Sequence, residues 1–408
     1  MRLDVHIHYT PPELAAELGA LAEREPYWGM LLAPRPSGAS IQGWADAART
    51  LEDMDRAGID RVVVQGEYYQ RHESCVARND ASMALVRRFP DRIAAFAVVQ
   101  PRAGPLALAE LERCVAGGLC GVGELNPYAQ GFALDDPDFL RLAEACIRHG
   151  LPLLLHANEP VGPAYPGKAT TPLAHYYGLA CRYPELQLVL AHWGGGLLFH
   201  EIIPGVRRAL RNTWYDTAAS PLVYPTPAIF RAALACVDHR KILFASDYPL
   251  LICPREQREP DFRPFLRQID ALGLDETVYT DIMGGNAVRL LAQTTEDRGQ
   301  EPGARSREVA ESNRPPILGP QSALPGAIDG TASVALVAAM HPAARDVFAR
   351  YGIPWQDSAV PFWEPIAQAA AAHGHGPEAT RRLLAELNEA AGTPSGMGEG
   401  QAPPPPPR

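Results

Sequence analysis

Two histidines open the first apolar stretch of the chain, in Asp4-Val5-His6-Ile7-His8. On a strand, residues two apart face the same side, so imidazoles at this spacing can close on one cation. Three more residues able to bind a metal each end an apolar run. His156 closes Leu151-Pro152-Leu153-Leu154-Leu155, His192 closes Leu188-Val189-Leu190-Ala191, and Asp247 closes Ile242-Leu243-Phe244-Ala245-Ser246. Imidazole and carboxylate together suit a divalent ion of intermediate softness, with zinc expected and iron or manganese the other candidates. Such an ion brings the pKa of its water toward about 7, which supplies a nucleophile at neutral pH. A carboxylate beside that water can carry its proton, the catalytic role expected of Asp247. His192 is the second catalytic candidate, able to polarise a substrate oxygen.

Glu124 ends Gly121-Val122-Gly123-Glu124. A carboxylate there can bridge two ions, pair with an arginine or meet the substrate, so the site is expected to hold one or two ions. Asn158, Trp193 and Tyr248 follow His156, His192 and Asp247 closely and are read as substrate-binding residues. The run Gly194-Gly195-Gly196 could present backbone N–H groups to a carboxylate, or could simply turn a strand into a helix.

These residues need a frame that brings distant strand ends together. Eight apolar segments read as strands: Leu3–His8, Arg61–Gln65, Ile93–Val99, Gly121–Leu125, Pro152–His156, Leu186–Ala191, Trp214–Thr217 and Ile242–Ser246. Helical periodicity fills the gaps, as in Trp44–Ala57, Asp80–Phe89, Leu106–Ala116, Pro137–His149 and Ala228–Val237. Alternation of this kind predicts an α/β fold, a (β/α)₈ or TIM barrel, whose active site lies at the C-terminal ends of the strands. No glycine-rich phosphate turn follows the first strand, which argues against a doubly wound open sheet.

Composition shifts after the barrel. Residues 1–293 are expected to form the metal-dependent barrel and 294–322 a linker rich in Pro, Gly, Ser and charge. Residues 323–392 are expected to form a small all-α domain and 393–408 a disordered, proline-rich tail. The net charge of −10 argues against non-specific nucleic-acid binding. No apolar run reaches the roughly 18 residues of a membrane span, and the N-terminus carries no apolar signal core. The seven cysteines form no CxxC pair and read as reduced core thiols in a cytoplasmic protein. The expected partner is a small-molecule substrate, and self-association into a homo-oligomer is compatible with the sequence.

From Leu3 to about Leu291 the chain resembles the amidohydrolase superfamily, in particular the amidohydrolase-related branch that includes the aminocarboxymuconate semialdehyde decarboxylase group. The likeness rests on the opening HxH, His156, Leu190-Ala191-His192-Trp193-Gly194-Gly195, Ser246-Asp247-Tyr248-Pro249 and the closing Gly284-Gly285-Asn286-Ala287-Val288-Arg289-Leu290-Leu291. It implies metal ligation by His6, His8, His156 and Asp247, with His192 a second ligand or an acid/base. The lysine that often bridges two metals in binuclear relatives is absent from the strand-four region, because the chain has only Lys168 and Lys241.

The C-terminal stretch, around Met340-His341-Pro342-Ala343-Ala344-Arg345 and Tyr351-Gly352-Ile353, resembles a small helical domain of unknown function akin to the N-terminal module of iron–sulfur repair proteins. Cysteines often follow that turn in the family. This chain has Pro354-Trp355-Gln356-Asp357-Ser358 instead, which points to a scaffold, regulatory or dimerisation role. The sequence favours a hydrolase that cleaves a C–N or C–O bond of a small polar substrate with metal-activated water. The alternative is a non-oxidative decarboxylase of a small unsaturated or aromatic carboxylate on the same frame.

Overall fold

The computed structural model describes residues 1–11, 16–32, 41–162, 165, 167–296 and, in the C-terminal part, 328, 330, 332, 334, 337–338, 341–353, 355 and 366–391. Two compact units divide at Ile317/Leu318. The stretch read as a linker lies outside the described residues apart from 294–296, and the tail from 393 onward lies wholly outside them.

Eight short parallel strands form the first unit: β1 Leu3–Ile7, β2 Arg61–Val64, β3 Ile93–Ala95, β4 Val122–Leu125, β5 Leu153–Leu155, β6 Leu188–Leu190, β7 Thr213–Asp216 and β8 Ile242–Leu243. They pair in sequence order as β1-β2-β3 and β4-β5-β6-β7-β8. The bridges Ala97↔Val122 and Ile7↔Tyr248 join the two sheets at both edges and close the barrel. Helices follow the strands, among them Ala47–Ala57, His72–Arg88, Pro105–Ala116, Pro137–Arg148, Leu173–Arg182 and Thr226–Cys236. This is the expected α/β barrel. The helix expected over 80–89 begins earlier, at His72, because Cys75, Arg78 and Asn79 are buried against the barrel wall. Two short helices after β1, Leu18–Arg24 and Pro26–Leu32, were not legible from periodicity.

Side chains from successive strands fill the two faces of the wall. Leu3, Val5, Val63, Phe96, Leu154, Val189, Leu243 and Ala245 form one buried cluster drawn from strands all around the ring, which is the barrel interior. Ile7, Val62, Val64, Val122 and Leu155 face outward with helix residues. Strict alternation cannot put both Val5 and His6 inside. The register of β1 against β2 slips between Asp4 and Ile7, and that of β4 against β5 slips between Val122 and Leu125. An extra residue of this kind re-aims its neighbours. Both slips fall where the chain turns His6 and Glu124 toward the interior. Gly123 permits the second one, since a Cβ there would meet Leu154 Cβ and its carbonyl oxygen at 2.8 Å.

The second unit has its own core of Val334, Val337, Val347, Phe348, Ile366, Leu383 and Leu387. Its described helices are Ala344–Arg350, Ile366–Ala372 and Pro377–Ala390. Its His375 Nε2 bonds the Tyr351 carbonyl at 2.6 Å.

Candidate metal centre and active site

Every strand end singled out by sequence opens on one cavity. It measures about 310 Å³, and His8, Glu124, His156, His192 and Asp247 form its polar floor. Trp28, Tyr68, Tyr165, Trp193 and Tyr224 stand among its walls.

The floor brings seven side chains together. His6 Nδ1 bonds Asp216 Oδ2 at 2.8 Å, while its Nε2 is buried without a hydrogen-bond partner. That nitrogen lies 3.6 Å from Glu124 Oε2 and 3.8 Å from Asp247 Oδ1. His8 Nε2 is 3.2 Å from Asp247 Oδ1. His156 Nδ1 is 2.7 Å from Glu124 Oε1 and 3.2 Å from His192 Nε2. Two sets of three ligand atoms, His6/His8/Glu124 and Glu124/His156/His192, each lie within 4.8 Å of one another. The two sets share Glu124.

This donor set fits one or two divalent cations. Buried polar atoms ordinarily find partners, and His6 Nε2 has only a gap between two carboxylates. His192 Nδ1 bonds the Ala218 carbonyl at 2.9 Å, and a carbonyl only accepts. Nδ1 therefore carries a proton, and Nε2 is the atom turned toward His156 and Glu124. Mixed imidazole and carboxylate oxygens at these separations suit zinc, iron or manganese.

Burial and facing charges together set the protonation of this cluster. Burial works against charge on His6, yet Glu124 and Asp216 hold its pKa well above the usual value. His192 is raised to about 9: burial opposes charge there too, but its hydrogen bond to Glu124 and the Asp247 carboxylate prevail. Burial alone would raise Glu124 and Asp247. The facing histidines, His156 and His6 for the first and His8 and His6 for the second, bring both below the ordinary carboxylate range. Protons on His6 and His192 offset part of the carboxylate charge, and metal uptake would displace them. Asp4, beneath the cluster, accepts from the His6 and Ser246 backbone N–H groups. Burial pushes its carboxyl up to about 7.

The backbone is also specialised here. His192, Trp193 and Asp247 hold positive φ values of 56°, 60° and 64°. Non-glycine residues avoid that region at a cost of about 1–3 kcal/mol each. Asp247 N–H bonds the His6 carbonyl at 2.9 Å and His192 N–H bonds Asp216 Oδ1 at 2.8 Å, which holds both turns in place.

The residues expected to bind substrate take different places. Asn158 lines the cavity, where its Oδ1 accepts from His156 Nε2 at 2.8 Å and from Ala169 N–H at 2.7 Å. Trp193 is a wall residue: its Nε1 donates to Ser220 Oγ at 2.9 Å and its ring packs on Phe230. Tyr248 turns from the cavity, stacking on Phe262 at 4.1 Å and donating to Asp53 Oδ2 at 2.7 Å. The glycine turn packs tightly, because a Cβ on Gly195 would lie 2.2 Å from the Asn158 carbonyl oxygen. Sequence reasoning missed Asp216. The signal was present, since Asp216 ends the apolar run of β7 just as Asp247 ends that of β8.

A closed parallel barrel with histidines and carboxylates gathered at its C-terminal end defines a metal-site enzyme for small substrates. Residues 3–293 match the amidohydrolase family, and the chain belongs to it. Solved structures share the frame. One is a 5-carboxyvanillate decarboxylase from Sphingomonas paucimobilis, 20% identical, with a TM-score of 0.56 over 71% of this chain and 98% of that one. A second 5-carboxyvanillate decarboxylase, from Novosphingobium aromaticivorans, was solved with manganese and a nitrobenzoic acid. It is 18% identical with a TM-score of 0.57 over 72% of this chain and 96% of that one. A 2,6-dihydroxybenzoate decarboxylase from Rhizobium is 19% identical, with a TM-score of 0.53 over 71% of this chain and 98% of that one. At these identities the likeness is one of fold. Among the described residues, no helix is long and apolar enough to cross a membrane.

Proposed function

We propose that this chain is a metal-dependent, non-oxidative carboxy-lyase acting on a small aromatic or unsaturated carboxylate. The observation that carries the reading is the cavity itself, a chamber walled by aromatic rings and floored by an ionised histidine–carboxylate cluster. Rings of Trp28, Tyr68 and Tyr224 offer flat, apolar surface to a planar substrate. The relatives named above are decarboxylases of aromatic acids, which favours this chemistry over the hydrolysis expected from sequence.

His6, His8, His156, Asp247 and Glu124 are the proposed ligands, with zinc the proposed ion and manganese or iron able to replace it. When bound, the cation supplies positive charge against the electrons left behind as CO₂ departs. His192 is the proposed proton donor. Its Nδ1 is tied to the Ala218 carbonyl, so the exchangeable proton sits at Nε2, the atom facing the cavity floor. As the C–C bond breaks, its electron pair stays on the substrate carbon, and the Nε2 proton moves to that carbon. Asn158 holds the His156 ring, while Trp193 and the tyrosines exclude water.

A second reading, hydrolysis, is favoured by Asp247, an ionised carboxylate facing the cavity beside His8 and placed to take a proton from water. Product analysis separates the two. Hydroxylated benzoates, lactones and amides are offered to the zinc- or manganese-loaded protein. We expect CO₂ release with one solvent hydrogen incorporated into the ring. Cleavage of a lactone or amide with ¹⁸O incorporation from water and no CO₂ would overturn the carboxy-lyase reading. Residues 323–392 are proposed as a separate scaffold or dimerisation module.

A further inference from the structure

Asp216 is fully buried at the end of β7, and three donors converge on its carboxylate. Oδ2 meets His6 Nδ1 at 2.8 Å. Oδ1 accepts from the backbone N–H of His192 at 2.8 Å and of Ala218 at 3.0 Å. Ala218 in turn offers its carbonyl to His192 Nδ1. We infer that Asp216 is the positioning residue of the site: one carboxylate fixes the ring of His6 and, through the 217–219 turn, the ring of His192.

The argument is one of donors and acceptors. A carboxylate only accepts, so His6 must present N–H at Nδ1, which leaves Nε2 as the atom whose lone pair a cation would take once any proton there is displaced. That is the nitrogen without a partner. The other tautomer would set a lone pair against Asp216 and an N–H where the ligand atom belongs. Asparagine is nearly isosteric but cannot substitute. Its amide has one accepting end, and either His6 or the two backbone N–H groups would then face an NH₂. The His192 turn needs the same anchor, because its positive φ is held by the Asp216 bond to its own N–H. A candidate metal ligand on β1 and the candidate proton donor after β6 thus share one support on β7. Ligand histidines are commonly oriented by such a partner, and its loss typically lowers metal affinity about 10–100-fold.

The inference rests on the metal-centre reading, and the experiment keeps the two apart. Zinc affinity of the full chain is measured by chelator competition for wild type and Asp216→Asn, alongside ¹⁵N spectra of histidine-labelled protein. Wild type should show His6 protonated at Nδ1 whether or not zinc is present. Asp216→Asn should bind zinc about 10–100-fold more weakly. His6 should shift toward the Nε2–H form, and the His192 Nδ1 proton should lose its protection. Asp216→Glu should recover part of the affinity. Wild-type zinc affinity and an unchanged His6 tautomer in Asp216→Asn would overturn the proposal. So would an Nε2–H tautomer in wild type, a measurement that does not depend on the variant folding. Absence of zinc binding by wild type with the Nδ1–H tautomer intact would remove the metal reading and leave the positioning role standing.

Discussion

Two of the buried charged groups in the barrel unit are built on opposite plans. Outside the barrel wall, Lys241 pairs with Glu201 and also donates to the Leu210 carbonyl at 2.8 Å. Tyr215 donates to Glu201 Oε1 at 2.6 Å, and Arg207 Nε donates to the Glu201 carbonyl at 3.0 Å. Opposite charges and complementary donors meet, and the group closes on itself. Inside the barrel mouth the cluster does not close. His6 Nε2 has no partner, His192 Nε2 faces His156 Nδ1, and Glu124 and Asp247 turn their oxygens toward nitrogens that only an added proton or cation can reconcile. Satisfied burial holds a fold together. A buried set whose carboxylates are offset by displaceable histidine protons is poised to take a cation in their place, and this distinguishes a site from a strut.

The largest effect is expected from removing a proposed ligand from the open cluster. His156→Ala should abolish stoichiometric metal binding and lower turnover by at least about a thousandfold, roughly 4 kcal/mol of transition-state stabilisation. Inductively coupled plasma analysis and initial rates check it. A variant that retained both metal and rate would place the chemistry elsewhere. Next in size is the closed pair. Glu201→Ala leaves Lys241 buried without its counter-charge and should destabilise the unit by about 3–5 kcal/mol. Metal content should be unchanged. Replacing both partners, as Glu201→Leu with Lys241→Met, should restore most of that loss in urea unfolding. No apolar pair could rescue His156.

The sequence carried the site further than the details of the frame. Strand-end residues stand out because an apolar run that stops on His or Asp is chemically abrupt, so His156, His192 and Asp247 were legible one by one. Asp216 ends a run of the same kind, but the run Thr213-Trp214-Tyr215 is less apolar and its end less conspicuous. The slips in β1 and β4 were not legible at all. They depend on how two strands register, and that is decided by packing across the barrel, not by either strand alone. Tyr248 shows the same limit. Its place next to Asp247 suggested the cavity, but the left-handed turn at Asp247 sends the phenol toward Phe262 and Asp53.

A smaller effect tests whether the open cluster is one centre or two. Glu124 belongs to both ligand sets. If it bridges, the wild-type protein should bind two zinc equivalents, and Glu124→Gln should bind one, because an amide offers a single weak ligand oxygen where the carboxylate offered two. A single equivalent in both proteins would make Glu124 the orienting partner of His156, with which it already shares a 2.7 Å hydrogen bond.

The smallest expected effect falls at the boundary between site and strut. Tyr248 adjoins Asp247, yet its hydroxyl belongs to a closed group, since Asp53 also receives Arg49 Nε at 2.7 Å and pairs with Arg56. Removing the hydroxyl in Tyr248→Phe leaves Asp53 with both arginines, and the ring keeps its stacking on Phe262. The cost should therefore be that of one ordinary hydrogen bond, about 0.5–1.5 kcal/mol in denaturant unfolding. KM and kcat should stay within about twofold of wild type, because an interaction of comparable strength at the substrate would change them about tenfold. A tenfold rise in KM with stability intact would mean that the phenol reaches the cavity during turnover, and Tyr248 would then belong to the open cluster.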